Sequence, residues 1–474
     1  MFHLNIQYGA LAFSFSTLVP CNRERGRMYG KIWLLIICGA SFLVTSARDR
    51  WVTIFTHGGG THPMYFSLSD AFKVINDQVK GSVYARTTRL LREDPYFFQM
   101  HPQQGSGLKR ASGNIKFDSH NGAHLFALIY DEINAKIGLP KTDLYSYGWT
   151  GLLSINARRA AARNFYRELE KLVKQIKLEG DIPRIRIIAY SHGGNMSLHL
   201  AEYFNARRQQ TFVIDELILV ATPVHQNTAI YLGSPLFKKI YLFYSIGDNI
   251  QVGDFLSSPT HSFAQHTFEK LKTVKIPDHV TQVQVRIFRK KIIIVHKDGT
   301  KEIIHRYDMI QPNHTEMFFF GWTPEWYRKY FPLKPLPVVL LMPYFLRTIY
   351  DKHLGGQRLR FTMIPDEERM TILNKKTKES FDVPFFDKKT FTAWRRQLLH
   401  YRPTNLSEYR KRMKAHWETA KLKVREEQKA KRLSEFAARE KKRMQRAAKL
   451  QSKKLVKQKA VPITRPLPKN QIAS

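Results

Sequence analysis

Cysteine is almost missing: Cys21 and Cys38 are the two present in 474 residues. They can build neither a disulfide framework nor a cysteine-based zinc site. Acidic residues are scarce too, with 39 Asp and Glu against 77 Lys and Arg, and the formal net charge is +38. Such a balance favours contact with anionic surfaces such as phospholipid, nucleic acid or acidic polymers, although a uniformly basic proteome would give the same figure. A long unbroken apolar run is lacking as well. Ile32–Val44 is short for a bilayer span, and FPLKPLPVVLLMPYFL (331–346) is interrupted by Pro332, Pro335, Pro337 and Pro343. The second run is expected to be a buried loop and helix packed on the core, with a membrane-dipping patch as the alternative. What the chain does have is 43% hydrophobic content with 31 Phe and 21 Tyr, enough for a large core and incompatible with global disorder.

The N-terminus reads as an export signal. Basic residues (Arg23, Arg25, Arg27, Lys31) precede the apolar run, and small residues close it up to Ala47. Translation starting at Met28 fits this logic better than Met1, and a cleaved signal would leave no cysteine; an uncleaved anchor or a buried first strand are the alternatives. Residues 1–47 are therefore assigned as signal or anchor and 48–325 as the main domain. Residues 326–400 are expected to pack on the core. Residues 401–474, dominated by Lys, Arg, Glu, Gln and Ala without a heptad seam, are expected to form a basic helical or disordered tail.

Within 48–325, β-rich runs alternate with helical patterns. WVTIFT (51–56), DLYSYGW (143–149), RIRIIAY (184–190), ELILVAT (216–222) and IYLFYSI (240–246) read as buried strands. Ala162, Phe165, Leu169, Leu172, Val173 and Ile176 recur at helical spacing between them. The expectation is an α/β protein with a doubly wound, mostly parallel sheet. VQVRIF and KIIIVH-KDGT-KEIIH (283–306) carry an Asp298-Gly299 turn between alternating runs, which predicts a hairpin at the sheet edge.

The densest chemical signal is RIRIIAYSHGGN (184–195): a strand, then Ser191, then two glycines opening a helix. A nucleophilic serine on a strained strand-to-helix turn needs small residues two before and two after it, here Ala189 and Gly193. An oxyanion formed there would be held by the N–H of His192 and by an N–H from a loop after an earlier strand. THGGG (56–60) suits that loop, with Gly58 and Gly59 as candidates, and it has no GK[ST] or GxGxxG continuation that would make it a phosphate cradle. The acid and base should follow the serine in that order. Asp248 lies on the turn after IYLFYSI; Asp254 is a weaker candidate, and Asp215 precedes its strand. His314, on the polar turn QPNHTEM (311–317), is the favoured base. His296 and His305 fall within the hairpin, and His261 and His266 follow Asp248 too closely to admit another strand.

FTHGGG (55–60), AYSHGGN (189–195), VATPV (220–224), YSIGDNIQV (244–252) and PNHTEM (312–317) together resemble the α/β-hydrolase superfamily, in particular its lipases and esterases. The resemblance spans about residues 50–322. Ala189 departs from the usual G-x-S-x-G, and the interval from Asp248 to His314 is long. The resemblance implies hydrolysis of carboxylic esters through Ser191, His314 and Asp248, with no metal or organic cofactor. Residues 61–142, including polar HPQQGSGLKRASGN (101–114), could then supply a lid, or simply helical packing with an exposed loop. An acyltransferase, amidase or peptidase would use the same residues. A non-catalytic basic protein binding membrane or nucleic acid is a further reading, against which stands the lack of any nucleic-acid recognition motif. The expected partners are an ester or lipid substrate and, through the basic tail, an anionic membrane surface.

Overall fold

A computed structural model describes residues 47–59, 68–93, 102, 105–111, 121–207, 210–255, 258, 260, 262–271, 273–297, 300–322, 327–402, 404 and 406–459. The strands are β1 (Asp49–Thr56), β2 (Gly107–Arg110), β3 (Asp143–Gly148), β4 (Ile182–Tyr190), β5 (Glu216–Val220), β6 (Ile240–Tyr244), β7 (Val280–Lys297), β8 (Thr300–Ile310), β9 (Arg358–Ile364), β10 (Arg369–Asn374) and β11 (Ser380–Pro384). The helices are α1 (Leu68–Ile75), α2 (Val83–Glu93), α3 (Gly122–Lys136), α4 (Ile155–Leu178), α5 (His192–Leu198), α6 (Leu200–Asn205), α7 (Gln226–Ala229), α8 (Asn249–Gly253), α9 (His314–Phe318), α10 (Met342–Asp351), α11 (Lys388–His400) and α12 (Leu406–Lys459).

The eleven strands among the described residues belong to one sheet, ordered β11-β10-β9-β7-β6-β5-β4-β1-β3-β2, with β8 attached to β7. From β3 to β9 every neighbouring pair is parallel; β2, β8, β10 and β11 are antiparallel additions. The chain is thus an α/β protein with a mostly parallel sheet. Because successive side chains of a strand point to opposite faces, each central strand feeds two cores. Ile185, Ile187 and Ala189 of β4 join Leu217, Leu219, Ile240 and Leu242 on one face, under Phe165, Leu169, Val173 and Ile176 of α4 and Leu200 and Phe204 of α6. Ile188, Ile218, Val220, Tyr241 and Phe243 join the other face, under Phe126 and Ile129 of α3 and Phe345 and Ile349 of α10. Ser154 starts α4 by accepting the Ala157 N–H at 3.0 Å, and Asn121 starts α3 by accepting the Ala123 N–H at 3.0 Å.

Three differences from the sequence reading concern the sheet's periphery. Gly107–Arg110, inside the stretch read as a polar loop or lid, is an edge strand; its Leu108 N–H donates to Glu168 at 2.5 Å. An edge strand with one exposed side needs no apolar alternation, so its pattern was silent. The hairpin is present as β7 and β8, but β7 is no edge: Gln282–Ile287 pair with β9, and only the later part of β7 leaves the sheet with β8. Asp298 and Gly299 lie outside the described residues. Residues 326–400 do more than pack on the core, since β9, β10 and β11 extend the sheet itself. Within that segment Leu333, Leu336 and Val338–Met342 are buried.

The basic C-terminal stretch forms one helix, α12, of 54 residues. It touches the body through α2, where Arg86 pairs with Glu427 at 2.5 Å and Val424 is fully buried. Among the described residues no helix is long and apolar enough to cross a membrane. The signal or anchor expected in 1–47 lies, save for Ala47, outside the described residues, as do both cysteines and 460–474.

Candidate active site

Ser191 follows β4 directly and precedes α5. Its backbone is held at φ 51, ψ −129, a region that non-glycine residues avoid. The Ser191 N–H donates to the Val220 carbonyl at 2.9 Å, and the Ser191 carbonyl accepts the Gly194 N–H at 2.9 Å, so the neighbouring strand and the new helix both pin the turn. Gly193 is required by space: a Cβ there would lie 2.4 Å from the His57 carbonyl oxygen. As the first residue of α5, His192 has an N–H with no intrahelical acceptor, in the helix's positive end.

His314 reaches Ser191 from the first turn of α9, just after β8. The Ser191 hydroxyl donates to His314 Nε2 at 3.0 Å, and His314 Nδ1–H donates to Asp248 Oδ2 at 2.7 Å. Ser191 is 4% exposed and Asp248 is fully buried. The other carboxylate oxygen of Asp248 accepts the Gln251 N–H at 2.9 Å, so both oxygens are committed. Asp248 sits just after β6 at the carboxyl end of the parallel sheet, the edge where functional groups of such sheets gather.

The base is fixed by groups that sequence reasoning did not single out. Tyr190 donates its hydroxyl to the His314 carbonyl at 3.0 Å, and its ring lies 4.8 Å from the imidazole and stacks on Phe318 at 4.3 Å. Burial, with Asp248 nearby, drives the Tyr190 phenol well above its ordinary range, so it stays neutral. Asn313 and Glu316 form a capping box at the start of α9. Glu316, fully buried, then accepts from Arg328 Nε at 2.9 Å, while Arg328 Nη2 also reaches the Gln311 carbonyl at 2.6 Å. The N-x-x-E pattern of Asn313–Glu316 was a readable signal for the cap; the Arg328 clamp had none.

The candidate oxyanion loop packs on the serine. A Cβ at Gly58 would come within 2.7 Å of Ser191 Cβ, and one at Gly59 within 2.9 Å of His192 Cδ2. The loop is held from behind by Trp149, whose Nε1–H donates to the His57 carbonyl at 2.8 Å and whose ring stacks on His57 at 5.6 Å. The Arg92 guanidinium lies 2.9 Å from His57 Nδ1 inside the protein, and burial brings its pKa down to about 10.

Asp254 has a different setting from Asp248. Its Oδ2 accepts from His225 Nε2 at 2.8 Å and lies 3.5 Å from His192 Nε2. Burial lowers the His192 pKa to about 3, partly offset by Asp254, so the imidazole is neutral and buttresses the turn after Ser191. Asp215 lies at the opposite edge of the sheet, accepting the Ile185 N–H at 2.9 Å and Lys238 at 2.8 Å. His266 donates from Nε2 to the Asp248 carbonyl at 3.2 Å, supporting the acid's backbone. His305 is exposed on β8; His261 and the His296 side chain lie outside the described set. Among the described residues no cluster of His, Cys, Asp and Glu could hold a metal ion.

No protein-family profile matches the chain, and no curated protein matches it. Among solved structures, one crystal structure that it matches is a "Putative hydrolase from Agrobacterium vitis S4", at 15% identity and a TM-score of 0.16, covering 34% of this chain and 62% of that one. The chain therefore spans less than two thirds of that protein, and a likeness of this size carries no argument about either fold or activity.

Proposed function

We propose that this protein is a serine hydrolase that cleaves carboxylic esters, of the lipase or esterase type. The observation that supports this reading best is the continuous hydrogen-bond chain from the Ser191 hydroxyl through His314 to Asp248, at 3.0 and 2.7 Å, on a serine strained into φ 51. In this reading His314 Nε2 takes the hydroxyl proton as Ser191 Oγ bonds to the ester carbonyl carbon. Negative charge moves to the carbonyl oxygen, where the amides of His192 and Gly59, with Gly58 beside them, receive it. Collapse breaks the bond to the alcohol, which leaves with the proton from His314. Water then gives its proton to His314 as it attacks the acyl carbon, and the bond to Ser191 Oγ breaks as His314 returns the proton to that oxygen, freeing the acid. Asp248 holds the imidazole in the tautomer that leaves Nε2 open to the serine.

The reading extends to an exported enzyme working at a membrane, supported by the N-terminal apolar run and by the 20 basic against six acidic residues of α12. The test of the activity is fluorophosphonate labelling of the full-length protein beside Ser191→Ala, followed by p-nitrophenyl ester hydrolysis across acyl lengths. Labelling of wild type alone, with ester turnover, is expected. A folded wild type that neither labels nor turns over ester refutes the reading.

A further inference from the structure

After Gln284, its last pairing with β6, β7 runs on to Lys297, on the order of 40 Å of strand at about 3.3 Å per residue. It leaves past the carboxyl edge of the parallel sheet, the edge that carries Ser191 and Asp248. β8 returns along it and ends at Ile310, four residues before His314. The ribbon therefore rises beside the candidate active site and is rooted in the loop of its base.

The two faces of the ribbon differ in character. Pleat alternation and the register Ile292↔His305, Ile294↔Ile303, Lys290↔Tyr307 and Phe288↔Met309 put these eight residues on one face. Ile292, Ile294 and Ile303 there are 64%, 55% and 61% exposed, with Tyr307 and Met309 also open to solvent. None of the eight is a carboxylate; the one that reaches this face is Glu367 at the root, against Lys290 at 3.2 Å and the Tyr307 hydroxyl. The opposite face carries Arg289, Asp308, Lys291, Arg306, Ile293 and Ile304, and Asp308 is paired with both Arg306 and Lys291. On that face Asp308 answers two of the three cations. The first is a stripe of exposed apolar side chains bordered by cationic and neutral groups, on a protein of net charge +38.

We propose that the Ile292–Ile294–Ile303 face of the ribbon lies flat on an anionic phospholipid bilayer, setting the carboxyl edge of the sheet against the lipid. Isoleucines lodge among the acyl-chain ends while Lys290 and the body's positive field meet the headgroups, the combination that interfacial segments use. A face whose one carboxylate, Glu367, is at the root and already paired with Lys290, on a strongly cationic body, complements lipid phosphate. The surface is distinct from α12 and stands whether or not Ser191 is a nucleophile.

The test is co-sedimentation of the full-length protein with vesicles of phosphatidylcholine alone and of phosphatidylcholine mixed with phosphatidylglycerol. Wild type is compared with Ile292→Ser/Ile294→Ser/Ile303→Ser and with Ile293→Ser/Ile304→Ser on the other face, and thermal midpoints show that each variant is folded. The expected result is binding of wild type to the anionic vesicles, weakened roughly tenfold or more by the triple variant and little changed by the double one. Triple-variant binding equal to wild type would assign the contact to α12 and overturn the proposal. So would equal loss in both variants, binding indifferent to vesicle charge, or no binding by wild type. A concentration-dependent dimer in sedimentation velocity that the triple variant abolishes would show a second copy to be the occupant instead, and would also overturn it.

Discussion

Replacing Ser191 by glycine and by alanine separates the chemistry of the hydroxyl from the conformation of the backbone that carries it. Both variants lose the hydroxyl and its 3.0 Å bond to His314, so that loss cancels between them. What remains is the backbone at φ 51, ψ −129, which alanine must adopt under strain and glycine adopts freely. A residue held in so sparse a region costs about 1–3 kcal/mol. Glycine gives back about 0.5–1 kcal/mol through the greater freedom of its unfolded chain. The Ser191→Gly protein is therefore expected to be about 1 kcal/mol more stable than Ser191→Ala, while both are inert to fluorophosphonate. Urea denaturation followed by tryptophan fluorescence measures the difference as a shift in midpoint at constant slope. Equal midpoints, or a more stable alanine variant, would mean that the serine is not strained and that the turn is not built as described.

Three further outcomes are expected. Gly58→Ala brings a Cβ to 2.7 Å from Ser191 Cβ, so the loop must move away from the serine; with an oxyanion donor displaced, ester turnover should fall about 100-fold or more, and near-normal turnover would remove this loop from the site. Arg328→Leu leaves fully buried Glu316 without its cation, which should destabilise the protein by about 3 kcal/mol and lower kcat; a Glu316→Gln/Arg328→Leu pair that recovers most of the stability, measured by urea unfolding, would confirm the cause. His192, with its pKa brought to about 3 by burial, is neutral in the folded protein but takes a proton near pH 6.5 when unfolded. The unfolded state then binds more protons between those values, so stability falls as pH drops, by about 2 kcal/mol from pH 6.5 to 4.5. His192→Gln should flatten the urea-midpoint profile over that range, and an unchanged slope would show that this imidazole is not the group responsible.

Much of the sheet was legible because its central strands are buried on both faces and so read as continuous apolar runs, as Ile187–Tyr190 and Ile240–Tyr244 do. Ser191 was legible for a local reason: strand, small residue, serine and glycines are contiguous. Asp248 and His314 were read from chain order and from their place after strands, and the structure sets His314 between the other two, within hydrogen-bond reach of Ser191 on one side and of Asp248 on the other. The periphery was not legible. β2 and β11 are short and half-exposed, and β9 interleaves Arg358 and Arg360 among its apolar residues, so none carries the signature of a central strand. Contacts that depend on three-dimensional return of the chain, such as Tyr190 under His314 and Trp149 behind His57, leave no spacing to read.

At about 1.5 Å per residue α12 is roughly 80 Å long, and among its described side chains Ala420 and Val424 are buried, beside Glu427, which pairs with Arg86 of α2. The stretch from Gln428 to Lys459 is then a lever arm of about 50 Å, more than twice the roughly 23 Å radius of gyration of a compact chain of this length. Whatever pulls or pushes on its far end does so with that mechanical advantage, and the reaction force falls on α2. Arg86 of α2 grips the arm through Glu427, and Arg92, six residues further along the same helix, bears on His57 beside Gly58. One short rod thus takes the torque of the arm at one end and props the loop over Ser191 with the other.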